Sequence, residues 1–207
     1  MDVKKDSRKA ILFCIIRNMN FYRVNDEYVE FLWNIDKKVY YNKSEEHQRP
    51  YIGVVLEVNN HLYLAPLTSY KSKQDDFKSS DPRFYKIHEK GNALNKLGVI
   101  ALNNMVPVHD GVIWKIDFSS QEIPYQRMLK LQRAFITPHG EEIKSRAAKL
   151  YRLIVEKKHE YYSQTCCDFS LLESKYKEWQ CAVPVNLPAQ EVAGEPSVKG
   201  PETTEKA

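Results

Sequence analysis

The sequence predicts an α+β protein in which a small, strongly bent antiparallel sheet, close to a barrel, is followed by a set of helices. Three features point there: an apolar hairpin centred on Asn59-Asn60, short apolar segments separated by turn formers as far as Phe118, and helical periodicity beyond Ile123. With 207 residues, 43% of them hydrophobic, the chain is long enough for one sizeable core, burying about 70% of its unfolded surface at this size.

Taken in order, residues 26–35 read as a helix, because Tyr28, Phe31, Leu32 and Ile35 recur at three-to-four spacing behind an Asn25/Asp26 cap. On this pattern alone Tyr28 could be no more than a core aromatic. Residues 36–50 are polar and charged, a loop that brings His47 and Arg49 to the foot of the hairpin. The hairpin has a β-branched, apolar strand over 51–58, a two-residue turn that suits positive φ, and a second apolar strand over 61–67. Pro66 cannot donate to a ladder, so that strand is expected to lie at an edge there or to end nearby. Residues 69–82 form a polar loop, and short strands are expected at 84–87, 97–102 and 112–118. Helices follow at 125–136 and 140–162, the second with an apolar stripe of Ile143, Ala147, Leu150 and Ile154, and a last one at 169–179 behind an Asp168 cap. The 181–207 stretch has four prolines and no aromatic residue, and reads as a disordered tail.

Charge narrows the partners. The formal net charge of +4 is only mildly basic. Its distribution says more: between Gln126 and Lys158, Arg127, Lys130, Arg133, Lys144, Arg146, Lys149, Arg152, Lys157 and Lys158 face only Glu141, Glu142 and Glu156, a composition able to track a phosphate backbone. A solvated helix face would have the same composition. Cys14, Cys166, Cys167 and Cys181 form neither a metal-ligand pattern nor a disulfide framework, which fits a reduced, cytoplasmic setting. The apolar run from Ala10 to Ile16 is too short to cross a bilayer and has no cleavage site after it, so no membrane partner is expected. There is no Walker loop, dinucleotide-binding glycine pattern or internal repeat.

Thr68-Ser69-x-Lys71, at the exit of the hairpin, is the densest cluster of chemistry-bearing groups. Two readings fit it: residues that satisfy a turn, or hydroxyls and a cation delivered to a ligand by a rigid strand end. The histidines and carboxylates are scattered, with no metal motif and no implied cofactor. Ribonucleic acid can still be cut, because its own 2′-hydroxyl serves as nucleophile once a protein orients it and stabilises the charge that develops on phosphorus.

Several motifs then fall in a familiar order: Met19-Asn-Phe-Tyr-Arg-Val, Tyr51-Ile-Gly-Val-Val-Leu-Glu, Leu64-Ala-Pro-Leu-Thr-Ser, Lys96-Leu-Gly-Val-Ile, Tyr125-Gln-Arg-Met-Leu and Cys167-Asp-Phe-Ser-Leu-Leu-Glu-x-Lys-Tyr. Over residues 19–180 the chain resembles the ToxN/AbiQ family, endoribonuclease toxins of type III toxin–antitoxin and phage abortive infection systems. The resemblance implies an SH3-like barrel of the MazF/Kid type with added helices, and makes residues 1–18 an upstream extension, flexible by expectation. It implies a metal-independent endoribonuclease acting on cellular and phage RNA, with Thr68, Ser69, Lys71, Arg49 and Tyr28 as its site. Arg49, whose pKa is too high for proton transfer, would act by charge, and Tyr28 would stack a base or relay a proton. It also implies an inhibitory RNA of tandem pseudoknot repeats that closes with the protein into a ring, held by Arg127, Lys130, Arg133, Lys144, Arg146 and Lys149. Gln132 and Phe135 are further candidates for base contacts. The rival from another class is a non-catalytic RNA-binding module.

Overall fold

The computed structural model describes residues 19–41 and 51–179. The expected extension over 1–18, the tail over 181–207, and the loop residues His47 and Arg49 lie outside them. In chain order the elements are β1 (Phe21–Val24), α1 (Asp26–Ile35), β2 (Ile52–Val58), β3 (His61–Thr68), β4 (Phe84–Glu89), β5 (Asn92–Ala101), β6 (Val106–Val108), β7 (Ile113–Lys115), α2 (Ile123–Ile136), α3 (Gly140–Tyr151), α4 (Glu160–Thr165) and α5 (Phe169–Lys175). The protein is α+β. Its seven described strands form one antiparallel sheet in the order β4-β5-β3-β2-β1-β7, with β6 added to β3.

Local chemistry sets the elements that the sequence makes legible. The Asn25 side chain accepts the Tyr28 backbone N–H at 2.8 Å and starts α1; Asp168 does the same for Leu171 at 3.0 Å and starts α5. Each such cap contributes about 1 kcal/mol. Asn59 and Asn60 turn the β2–β3 hairpin with φ of 49° and 62°, the pair of positive values that a two-residue turn needs to match strand twist.

One expectation holds and two change. Pro66 stands near the end of its strand, since β3 stops at Thr68, and it is buried opposite Gly53. On its other side β3 changes partner, pairing with β6 over Leu62–Leu64 and with β5 at Leu67 and Thr68. Pro66 falls in the gap between them, where a missing N–H costs no ladder bond. The helix expected over 140–162 is broken. After α3 comes a π-helical segment, Arg152–Glu156, and Lys158 takes φ 49° before α4 begins. The last helix is likewise shorter than expected, since α5 stops at Lys175 and a 3₁₀ turn, Tyr176–Glu178, completes the run.

The core lies between the sheet and the helices. Val54, Leu56, Tyr63 and Leu64 from the hairpin are buried, as are Ile143, Ala147 and Leu150 from α3, which lies against β2. Each buried Val, Leu or Ile here contributes about 1.5–3 kcal/mol. Glu173 on α5 accepts from the hydroxyl of Tyr63 at 2.7 Å and from that of Tyr151 at 3.0 Å, so one carboxylate joins three elements. Cys166 and Cys167 are buried free thiols, and burial pushes the Cys166 thiol up to about 11.

Candidate active site at the hairpin exit

The register of the hairpin decides what meets at its open end. Gly53 pairs with Pro66, so two residues further on Tyr51 comes level with Thr68, where the strand leaves the sheet. A side chain on Gly53 would run into the Ala65 carbonyl oxygen, so glycine is what lets β2 and β3 close here. On the opposite flank Gly98 makes a second close approach. It has φ 144°, and a Cβ on it would lie 2.6 Å from the Thr68 carbonyl oxygen. Thr68 is thus fixed from both sides, and its own hydroxyl donates to the Val99 carbonyl at 3.4 Å.

Ser69 is exposed, and its hydroxyl has no partner among the described residues. The loop beyond it is held by its neighbours. The Gln74 side-chain oxygen accepts the Lys71 backbone N–H at 2.9 Å, and the Gln74 N–H donates to the Lys71 carbonyl at 2.8 Å. Gln74 is buried, yet Lys71 is exposed. Asp75 meets the Lys96 ammonium at 2.6 Å, and the same ammonium lies 4.8 Å from the centre of the Tyr70 ring. Lys96 and then Tyr70 hold the Asp75 carboxyl below the usual range. Lys86 donates to the Asp75 carbonyl at 3.3 Å. With the backbone pinned by these contacts, the Ser69 hydroxyl and the Lys71 ammonium project from a rigid frame, and no described side chain competes for either.

The sequence-derived candidates divide. Thr68, Ser69 and Lys71 share this strand exit; Arg49 lies outside the described residues. Tyr28 does not join them. It is fully buried, its hydroxyl donates to the Pro107 carbonyl at 2.7 Å, and its ring packs against Phe31, His109 and Trp179. Pro107 pairs with Tyr63, five residues back along β3 from Thr68, or roughly 17 Å at strand rise. Burial, reinforced by Tyr176, pushes the Tyr28 hydroxyl far above the ordinary phenol range. Tyr28 is a core residue here, and neither base stacking nor proton relay at the hairpin exit is open to it.

The basic helices need a similar correction. Gln132 is 4% exposed and its amide donates to the Leu97 carbonyl at 2.9 Å, so it clamps α2 to β5 beside Gly98 instead of reaching a base. Lys144 pairs with Glu141 at 2.8 Å, and Arg146 with Glu142 at 2.9 Å, each acid one turn back on α3. Such pairs are worth only a few tenths of a kcal/mol, so a phosphate can displace Glu141 from Lys144, whereas Arg146 is held further by the Phe84 carbonyl at 3.2 Å and the Tyr85 ring at 4.7 Å. The Arg133 guanidinium lies over Phe118 at 4.9 Å, and Lys130 donates to Gln126 at 3.0 Å. Arg127 and Lys149 are exposed. Phe135, 6% exposed, stacks on His139 with centroids 4.5 Å apart. Two residues that sequence reasoning missed are Gln74 and Lys86. Nothing local marks them, because both act on a loop whose path only the tertiary fold defines.

Among the described residues no group of three or more histidines, cysteines or carboxylates is arranged to hold a metal ion, and no helix is long and apolar enough to cross a membrane.

Comparison with known proteins adds a second, independent line. Residues 20–177 match the family model described as toxin ToxN of the type III toxin–antitoxin system. An endoribonuclease ToxN from Pectobacterium atrosepticum is 37% identical over 164 residues, covering 78% of this chain and 94% of that protein. A structure solved in work on a processed non-coding RNA that regulates a bacterial antiviral system superposes with a TM-score of 0.71 at 35% identity, covering 78% of this chain and 99% of that one. Another, from work on selective toxin inhibition by a non-coding RNA pseudoknot in type III systems, gives a TM-score of 0.65 at 29% identity, over 77% of this chain and 96% of that one.

Proposed function

This chain belongs to the ToxN toxin family of type III toxin–antitoxin systems, and from that premise we propose that it is a metal-independent endoribonuclease held inactive by a cognate RNA. The observation that carries the reading is the exposed Ser69 hydroxyl and Lys71 ammonium at a strand exit whose backbone is fixed by Gly98 and Gln74.

In the reaction we envisage, the 2′-oxygen of the substrate attacks the adjacent phosphorus and loses its proton. The bond from phosphorus to the 5′-oxygen breaks, and that oxygen takes up a proton. The products are a 2′,3′-cyclic phosphate and a 5′-hydroxyl. Lys71, with Arg49 by family resemblance, offsets the extra charge on the phosphorane. Ser69 and Thr68 orient the phosphate and 2′-hydroxyl by hydrogen bonding. A serine acting as covalent nucleophile would need a base beside it, and among the described residues none is bonded to Ser69. The bent sheet is read as an SH3-like barrel of the MazF/Kid type, with helices α2 and α3 as the basic surface for RNA. Cellular and phage transcripts are its substrates, its inhibitor is a set of tandem pseudoknot repeats that closes with the protein into a ring, and the setting is the cytoplasm.

Expressing the chain alone should arrest growth, and co-expressing the repeat RNA from its own locus should restore it. Purified protein should cut RNA in excess EDTA, leave the cyclic phosphate, and fail on a substrate with a single 2′-deoxy substitution at the cut. A harmless protein that leaves RNA intact would put the non-catalytic RNA-binding module in its place; activity lost in EDTA and recovered with magnesium would overturn the metal-independent route.

A further inference from the structure

A cleft of about 320 Å³ opens beside β4, the terminal strand of the sheet, where the chain after Asp75 and helices α2 and α3 meet it. Its lining is aromatic and mostly cationic, with Lys78, Lys86 and Arg146 beside one carboxylate, Glu142. Phe77 and Phe84 stack with centroids 4.4 Å apart and planes at 16°. In the same lining His88, Phe135 and His139 form a second group, with His88 4.3 Å and His139 4.5 Å from Phe135. The Nδ1 of His139 lies 2.7 Å from the Phe135 carbonyl oxygen, and that of His88 3.1 Å from the Glu89 carbonyl oxygen. A carbonyl can only accept, so Nδ1 carries a proton in both rings. Lys86 brings positive charge to the same walls, where Arg146 is paired with Glu142 at 2.9 Å and donates to the Phe84 carbonyl at 3.2 Å.

This cleft is close to the candidate active site. Lys86 pairs with Val99, and Val99 pairs with Thr68, so Lys86 and Thr68 stand in one cross-strand row two strand spacings apart, roughly 10 Å. Lys71 and Phe77 also share one loop, which Lys86 ties down through the Asp75 carbonyl. Flat aromatic faces take any base, cations take a phosphate, and a single strand offers both.

We propose that the cleft takes one unstacked nucleotide of single-stranded RNA, its base against Phe77 and His88 and its phosphate on Lys86, and so sets how far from that base the cut falls. The proposal rests on the endoribonuclease reading for the word cut, and on the cleft alone for binding.

The test uses the full chain and a synthetic single-stranded oligoribonucleotide that it cuts, remade with one abasic ribose at each position in turn. Cleavage is measured as kcat/KM, and binding as Kd on versions made uncleavable by a 2′-deoxy substitution. In the wild type, one abasic position should cost about tenfold or more. In Phe77→Ala and His88→Ala that penalty should fall to near onefold, with the others unchanged. A parallel scan of the inhibitory repeat RNA by Kd tells the sources apart: coupling in the oligonucleotide assigns the cleft to substrate, and coupling in the repeat RNA assigns it to the inhibitor. Lys86→Ala should make the log-log salt slope of binding shallower by about 0.7. Identical abasic profiles in wild type and variants for both RNAs, with an unchanged salt slope, overturn the proposal. Were the protein to cut nothing, the endoribonuclease reading would fail, and the binding scans would still decide for or against the cleft.

Discussion

The side-chain oxygen of Gln74 accepts the backbone N–H of Lys71 at 2.9 Å, so a buried amide sets the direction in which an exposed lysine leaves the chain. Gln74→Ala should remove that hold at a stability cost of about 1 kcal/mol. Cleavage should drop about tenfold, mainly in kcat, because misplacing a charge-bearing group by an ångström is costly in the transition state. Gln74→Glu keeps the acceptor oxygen and should recover most of the rate. Single-turnover kinetics on the pair checks this, and equal rates in both variants would show that the bond does not position Lys71.

Ser69→Ala should lower the cleavage rate by roughly 10² while leaving affinity for the inhibitory RNA nearly unchanged, since it removes a neutral group that acts on developing charge. Replacing the exposed Arg127, Lys130 and Lys149 together should do the reverse. Affinity should weaken, and the salt slope should become shallower by about 0.7 for each single-strand phosphate that is no longer neutralised. Measuring Kd against salt beside kcat at saturating RNA separates the two. Wild-type cleavage by Ser69→Ala would reduce Thr68-Ser69 to a turn.

Gly98→Ala places a Cβ 2.6 Å from the Thr68 carbonyl oxygen and forces φ 144° on an alanine. A loss of about 1–3 kcal/mol is expected from backbone strain, with a larger fall in activity than melting alone accounts for, because the strand that must move carries Thr68. Thermal melting together with specific activity at a temperature well below Tm tests both parts.

Tyr85, donating to Glu142 at 2.7 Å, and Arg146 beside it hold that carboxyl below its ordinary value of 4.5, with His139 adding to the effect. A folded-state value below the unfolded one contributes stability that is present above pH 4.5 and lost as pH falls through the depressed value. Glu142 is largely exposed, so the contribution stays within about 1 kcal/mol. The difference in melting temperature between wild type and Glu142→Gln should therefore narrow as pH is lowered below 4.5 and through the depressed value. A constant difference across that window would show that the Tyr85 bond does not depend on the charge.

What the sequence made legible is what local chemistry decides. Asn25 and Asp168 announce their helices, Asn59-Asn60 announces the turn, and the exit at Thr68-Ser69 follows from the hairpin. β1 and β6, of four and three residues, have too little pattern of their own and exist because β2, β7 and β3 offer partners. The stripe from Ile143 to Ile154 hides the break after α3, because a π-helical turn keeps the apolar face in register while changing the backbone. Tyr28 stands where periodicity and resemblance disagree. Its spacing with Phe31, Leu32 and Ile35 left room for a core residue; the family resemblance drew it toward the site, and its burial places it in the core.

The change of partner along β3 governs how the enzyme fails. Among the described residues, only the ladder pairs Leu67↔Ile100 and Thr68↔Val99 join the β4–β5 arm to the hairpin, with Gln132 on Leu97 as a clasp from outside. A seam that short opens at a fraction of the global unfolding free energy, and each opening unseats Thr68 from Val99. Heat should silence the protein while the hairpin and its core are still folded, and amide exchange at Leu67, Thr68 and Val99 should run ahead of that at Val55 and Leu64.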